Sequence, residues 1–189
     1  MNNFIFSKKV LKSVVLIMFL ILSTLAIIFF PYIKGKIKKQ ENAGEIYQQS
    51  LSLIEKGDFK QATELLEKTI KISPDAINYL QTLAIAKYNS KDYQGAISVY
   101  EKMIKIDSKS AFAYNGIGNA FRDLKDFKQA EENYQKAIEI DQHFIASYTN
   151  LALVLKEEGK KDQAKKILEQ GLEGNPNSAE LKTVMEVVE

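Results

Sequence analysis

The chain has 189 residues, 46% of them hydrophobic, and it contains no cysteine, which excludes disulfide bonds and thiolate metal sites. Its formal net charge of +2 is unevenly distributed, because seven of the 26 basic residues lie in residues 1–39, which carry no acidic residue. Residues 40–189 therefore hold 19 basic and 24 acidic side chains, a charge of about −5, and lack the basic stripe that a nucleic-acid-binding protein shows.

The first predicted element is a transmembrane helix at residues 13–33. These 21 residues carry no charge, and at about 1.5 Å per residue such a helix crosses roughly 30 Å of hydrocarbon. A cleavable signal peptide usually has a shorter apolar region of about 7–15 residues, so we expect an uncleaved anchor, with a long signal peptide as the alternative. The segment is preceded by a short basic tail at 1–12 and followed by a predicted linker at 34–42.

The lysines that flank this helix do not clearly indicate its orientation, because similar numbers lie at its two ends. Positive charge near a span favours the cytoplasmic side, and a short basic tail before the first span commonly stays inside. We therefore expect a single-pass protein whose C-terminal part lies outside the cytoplasm, with a cytoplasmic location as the alternative. The flanking lysines are Lys8, Lys9 and Lys12 on one side and Lys34, Lys36, Lys38 and Lys39 on the other.

After residue 42 the sequence repeats with a period of 34 residues. The period divides the chain into four repeats at 43–76, 77–110, 111–144 and 145–178, each predicted to form two amphipathic helices joined by a turn. A final apolar stripe in residues 179–189 predicts a C-terminal helix that covers the last repeat. Alanine marks the period at Ala62, Ala96, Ala130 and Ala164, and an aliphatic residue marks it at Ile70, Ile104, Ile138 and Leu172.

The third repeat carries the clearest pattern. Its marker residues are Tyr114, Ile117, Gly118, Phe121, Ala130 and Tyr134. This spacing resembles the tetratricopeptide repeat, whose consensus places an aromatic residue, Leu-Gly, Tyr, Ala and Phe at these intervals. The resemblance implies an all-α fold, a right-handed superhelix of helix-turn-helix repeats, here with about nine helices in addition to the transmembrane helix.

The sequence shows no constellation of catalytic or cofactor-binding residues. It has no glycine-rich phosphate loop, and its one histidine, His143, lies near a predicted turn. The acidic pairs Glu131–Glu132 and Glu157–Glu158 are sequence neighbours, which do not share a helical face. We therefore expect a protein that is not an enzyme and that uses no cofactor, metal or small-molecule substrate.

The resemblance implies a groove lined by the first helix of each repeat. If repeat positions 4, 7, 8 and 11 form the core, positions 2, 5, 9 and 12 turn toward the groove. These positions, together with the adjacent Asn150, predict a surface that binds a peptide or a partner protein. The predicted binding residues are Tyr47, Leu51, Ile54, Gln81, Ile85, Tyr88, Asn115, Asn119, Arg122, Asn150 and Lys156.

The predicted groove is apolar in its first half and rich in amides in its second half. Asparagine suits a peptide backbone because its amide both donates and accepts hydrogen bonds. Some family members grip a C-terminal carboxylate with two asparagines and three cations. Asn119 and Asn150 match those asparagines, but Asn115, Glu180 and Val184 stand where the cations would be, so this clamp is not predicted.

These observations predict a membrane-anchored scaffold or adaptor that holds a client protein and helps to assemble a membrane-associated complex. Two alternatives remain open at this point. The chain could be a chaperone-like or receptor component of a translocation or secretion machine. It could also be a self-associating structural protein, in which Tyr47, Leu51 and Ile54 contact a second copy.

Overall fold

The computed structural model describes the backbone of residues 8–188, and the side chains from residue 17 onward except at 19, 20, 23, 26, 28 and 41. In this part of the chain there are α-helices and no strands, which confirms the all-α prediction. The helices are α1 Lys8–Glu55, α2 Phe59–Ile72, α3 Ile77–Asn89, α4 Tyr93–Ile106, α5 Ala111–Asp123, α6 Phe127–Ile140, α7 Ile145–Glu157, α8 Lys161–Gly174 and α9 Ala179–Val188.

The chain divides into two compact units, Met1–Gly44 and Glu45–Glu189, and α1 continues through the division. The structure therefore has helix where the sequence analysis expected a linker at 34–42. Gly35 and Gly44 lie inside α1, and neither has an atom within 4 Å of the position where a side chain would begin. A glycine inside a helix costs only about 1 kcal/mol relative to alanine, which is too little to end a helix of 48 residues.

The predicted transmembrane helix lies partly outside the described residues, since nine of the 21 side chains between 13 and 33 are not described. Among the residues that are described, no helix has a stretch that is long and apolar enough to cross a membrane. The predicted basic tail at 1–12 is described only from residue 8 onward.

The turn between the two helices of each repeat is set by one residue with positive φ, always at repeat position 15. Gly57 (77°), Lys91 (65°), Lys125 (65°) and Gly159 (78°) occupy this position. In the first three repeats the next residue is an aspartate that caps the second helix. The carboxylates of Asp58, Asp92 and Asp126 accept hydrogen bonds from the backbone N–H groups of Gln61, Gly95 and Gln129.

The fourth repeat replaces this capping aspartate by Lys160. Its side chain does not cap α8, but its Nζ lies 2.7 Å from Glu131 on α6 and 3.0 Å from Glu158. Burial of Glu131, together with its contact to Glu158, raises the pKa of the Glu131 carboxyl group despite the opposing effect of Lys160. The substitution thus exchanges a local cap for an ion pair to the preceding repeat.

The second unit is an α-solenoid in which successive helices from α2 to α8 pack on one another. Small residues on the first helices face aromatic rings on the second helices, so that the backbones come close. Gly116 faces Tyr100 and Gly118 faces Tyr134. The last helix, α9, packs against α7 and α8 and buries Leu181.

Candidate functional site

The predicted binding residues lie on the first helix of each repeat, which is the C-terminal part of α1 in repeat one and α3, α5 and α7 in the others. In the first half of this surface, Tyr47 packs with its ring centroid 4.7 Å from that of Tyr79, and its hydroxyl lies 3.0 Å from Thr82 Oγ1. Tyr47 and Ile54 also pack against a buried cluster around Leu66. These two predicted residues therefore help to join the first two repeats.

Three other predicted residues of the first half, Leu51, Gln81 and Ile85, are half-buried on α1 and α3. No hydrogen bond of the Gln81 side chain is present among the described residues. These side chains leave a partly apolar surface on the helices that precede α5.

Tyr88 and Arg122 meet at the ends of α3 and α5, together with Asp123. The Tyr88 hydroxyl donates to Asp123 Oδ2 at 2.6 Å, and Arg122 Nη2 donates to the Tyr88 oxygen at 3.2 Å. Arg122 Nε also donates to Asp123 Oδ1 at 3.1 Å. Burial and the carboxylate of Asp123 raise the pKa of Tyr88 to about 12, so the phenol keeps its proton at neutral pH.

Asp123 is missing from the predicted set, although it forms two of these three hydrogen bonds. One feature of the sequence could have indicated Asp123. It directly follows Arg122, which is the single arginine of the chain and occupies the predicted repeat position 12. The three side chains link the second and third repeats.

Asn115 is buried, with only 7% of its surface exposed, whereas the sequence analysis placed it in the groove. Its Oδ1 accepts hydrogen bonds from Ser147 Oγ at 3.2 Å and from Asn150 Nδ2 at 3.1 Å. The residue is covered because the small side chain of Ser147 lets α7 approach α5 at this point. Asn115 thus orients Asn150 and has little surface left for a ligand.

Asn119 lies one helical turn after Asn115 on the same face of α5. Its Oδ1 accepts a hydrogen bond from the hydroxyl of Tyr134 at 2.8 Å. Burial raises the pKa of the Tyr134 phenol, which therefore remains a donor. The amide of Asn119 is held in one orientation by this contact.

The two half-buried asparagines leave complementary groups without a partner among the described residues. Asn119 accepts through Oδ1, and its Nδ2 donor has no partner among the described residues. Asn150 donates through Nδ2, and its Oδ1 acceptor has no partner there. We call Asn119 and Asn150 the amide pair. Because both asparagines lie beside Asn115, a donor and an acceptor are presented near each other on this surface.

A cleft of about 310 Å³ continues the surface toward the C-terminal ends of α5 and α7. Arg122 lies three residues beyond Asn119, and Leu153 lies three residues beyond Asn150, so the cleft follows the amide pair on the same helical faces. Arg122 is paired with Asp123, and Glu157 lies 3.8 Å from Lys125, whereas Lys156 has no ion pair among the described residues. Arg122, Leu153, Lys156 and Glu157 line it.

Two larger clefts lie between successive second helices, and the sequence analysis did not predict them. One of about 620 Å³ lies between α6 and α8 over Leu151 and Leu155, and one of about 480 Å³ lies between α4 and α6 over Ile117 and Phe121. The residues at the base of both clefts occupy repeat positions 7 and 11. The sequence analysis assigned these positions to the core. Helical periodicity does not show that they remain accessible between the second helices.

The side chains of the predicted binding surface offer hydrogen bonds and apolar contacts. Over the described residues, no three or more histidine, aspartate or glutamate side chains come close enough to hold a metal ion. The titratable side chains Tyr88, Arg122 and Asp123 are bonded to each other.

Comparison with known proteins agrees with this architecture. Three family profiles described as tetratricopeptide repeat match residues 53–117, 111–144 and 133–166, which together cover more than half of the chain. No curated protein matches it in sequence.

Solved structures of similar fold include two proteins named MamA and one named pilF. A crystal structure of MamA is 23% identical with a TM-score of 0.65, covering 78% of this chain and 81% of the other. MamA residues 41 to the end from Desulfovibrio magneticus RS-1 are 20% identical with a TM-score of 0.65, covering 72% and 77%. The pilF protein of Pseudomonas aeruginosa is 24% identical with a TM-score of 0.64, covering 82% and 69%. These TM-scores establish a shared fold, and the profile matches show that the chain belongs to the tetratricopeptide repeat family.

Proposed function

We propose that this protein is a non-catalytic scaffold that binds a peptide segment of a partner protein on the first helices of its repeats. The observation that carries the proposal is the amide pair, in which Asn119 keeps a donor and Asn150 keeps an acceptor. Every peptide group other than that of proline offers one acceptor and one donor, which is the matching set.

In this mechanism Asn119 Nδ2 donates to a carbonyl of the bound segment, and Asn150 Oδ1 accepts from one of its N–H groups. Tyr134 and Asn115 already hold the two amides in place. Binding therefore orders few side chains of the scaffold, which limits its entropic cost. Contacts of this kind hold an extended backbone without reading its sequence.

Selectivity comes from the surfaces on either side of the amide pair. The cleft that follows it has an apolar wall at Leu153 and carries two cations, Arg122 and Lys156, beside the acids Asp123 and Glu157. The apolar wall suits an apolar side chain of the bound segment. Leu51 and Ile85 offer further apolar contact on the opposite side, as the sequence analysis expected.

We further propose that the N-terminal helix holds this scaffold at a membrane, with residues 13–33 in the bilayer and the repeats outside the cytoplasm. The support is the absence of any charge over these 21 residues and the basic tail before them. Among the described side chains, eleven large apolar ones between residues 17 and 37 are at least 45% exposed. Apolar surface costs about 25 cal/mol per Å² in water, so this exposure favours a lipid environment.

Site-specific photo-cross-linking in the native cell tests both parts of the proposal. A photoreactive amino acid at Leu153, inside the cleft beside the amide pair, should capture one partner polypeptide through one short segment. The same amino acid at Gln135, which lines the 620 Å³ cleft between second helices, is the matched control and should not capture that segment.

The identity of the captured protein separates the alternatives. Capture of the segment from Gln135 and not from Leu153 would contradict the binding surface. A second copy of this chain would favour the self-associating structural protein, and many unrelated unfolded proteins would favour the chaperone-like role. A partner confined to the cytoplasm would contradict the orientation and leave the binding surface standing.

A further inference from the structure

Residues 29–39 of α1 combine exposed aromatic rings with lysines, and we call them the aromatic–lysine segment. Phe29, Phe30 and Tyr32 are 55%, 71% and 67% exposed. The lysines that follow, at 34, 36, 38 and 39, are exposed as well. The sequence has no acidic residue before Glu41, so nothing within the first 40 residues neutralises these charges.

The arrangement of the lysines around the helix limits the kind of partner that fits. Residues of an α-helix advance by about 100° each, so Lys34 and Lys38 share one side, Lys36 lies opposite and Lys39 lies between them. The three aromatic residues are spread around the axis in the same way. A protein surface contacts a helix from one side, whereas the headgroup layer of a bilayer surrounds it.

The order of the two residue types along the helix matches the layers of a membrane interface. Aromatic rings favour the boundary between hydrocarbon and headgroups, and lysines favour the adjacent layer of phosphate groups. In this segment the aromatic residues lie at the end of the uncharged run 13–33, and the lysines follow it.

We propose that the aromatic–lysine segment gathers anionic phospholipids around α1, through contacts of its four lysine ammonium groups with lipid phosphates. The inference rests on the membrane attachment proposed above and adds a preference for lipid charge. It predicts that the protein is surrounded by a higher fraction of anionic lipid than the bilayer as a whole. High salt should weaken this enrichment, because ions screen exposed charges.

The chain contains no tryptophan, so a Tyr32→Trp substitution introduces a single fluorophore into the segment. The full chain carrying it is reconstituted in vesicles of about four parts phosphatidylcholine to one part phosphatidylglycerol. Bromine atoms, which quench tryptophan, are placed on the acyl chains of one lipid or the other. We expect quenching by brominated phosphatidylglycerol to indicate an enrichment of about threefold over its bulk fraction.

Matched lysine variants identify the source of the enrichment. Lys34→Gln, Lys36→Gln, Lys38→Gln and Lys39→Gln, combined in one protein, should bring quenching back to the bulk lipid ratio. The control protein carries four lysine-to-glutamine substitutions in the second unit, and it should keep the enrichment unchanged. The substituted residues are the exposed Lys60, Lys68, Lys71 and Lys128.

The outcomes separate this inference from the proposal on which it rests. Quenching by both lipids in their bulk ratio would overturn the lipid preference and leave membrane attachment intact. An absence of quenching by either lipid would show that the helix does not enter the bilayer, which overturns both. Enrichment that survives the removal of the four lysines would also overturn the inference.

Discussion

Replacing Gly118 by valine should destabilise the repeat unit by about 3 kcal/mol. A Cβ atom at this position would lie 2.5 Å from Cε1 of Tyr134, a ring that is fully buried and whose hydroxyl is bonded to Asn119. The ring cannot move away without leaving its cavity and breaking that hydrogen bond. Thermal unfolding followed by circular dichroism should show a midpoint lower by roughly 6–12 °C.

A glycine of α1 provides the control for this experiment. Gly44→Ala adds a side chain where no atom lies within 4 Å, so it should leave the midpoint unchanged or raise it slightly. If Gly118→Val unfolded at the wild-type temperature, the close packing of α5 against Tyr134 would not be a source of stability. The variant should also bind its partner less well, because Tyr134 holds the amide of Asn119.

Replacing Asn115 by alanine should destabilise the repeat unit by about 2 kcal/mol, although the sequence analysis assigned this residue to the binding surface. The substitution removes the acceptor of two hydrogen bonds, from Ser147 and Asn150, in a place where Asn115 is 7% exposed. Ser147 is fully buried, so its hydroxyl would lose its partner without gaining water. Denaturant unfolding measures the loss.

A double-mutant cycle with Ser147→Ala shows whether this loss comes from the hydrogen bond. Once the Ser147 hydroxyl is absent, Asn115→Ala leaves one fewer donor unsatisfied and should cost less than it does alone. Strictly additive losses in the free energy of unfolding would contradict the role assigned to Asn115.

Much of this architecture is predictable because the repeat makes each local signal appear several times. Alanine and aliphatic residues recur every 34 residues, and Asp58, Asp92 and Asp126, which cap the second helices, recur at the same step. Gly118 and Tyr134, both markers of the third repeat, form a close contact between its two helices. Each of these features depends on residues that are near one another in sequence.

The details of the surface were less predictable, because they depend on contacts between repeats. Helical periodicity gives the direction of a side chain but not how closely the next repeat covers it. Asn115 points toward the predicted groove and is nevertheless buried, since Ser147 of the following repeat lies against it. Asp123 was missed for the same reason, because its partner Tyr88 is 35 residues away.

The predicted linker at 34–42 illustrates a different limit. Gly35, Gly44 and the preceding Pro31 all disfavour a continuous helix in this region, but α1 runs from Lys8 to Glu55. Glycine lowers helix propensity without preventing helix formation, so single glycines do not locate a boundary.

The central claim is that the amide pair holds the backbone of a bound segment. The most direct test is isothermal titration of the segment captured by cross-linking, made as a synthetic peptide, with the wild-type protein and with an Asn119→Ala, Asn150→Ala variant. Loss of two hydrogen bonds of about 1 kcal/mol each predicts roughly 30-fold weaker binding, while Gln135→Ala on the cleft between second helices should have no effect. An unchanged dissociation constant for the folded double variant would contradict the claim.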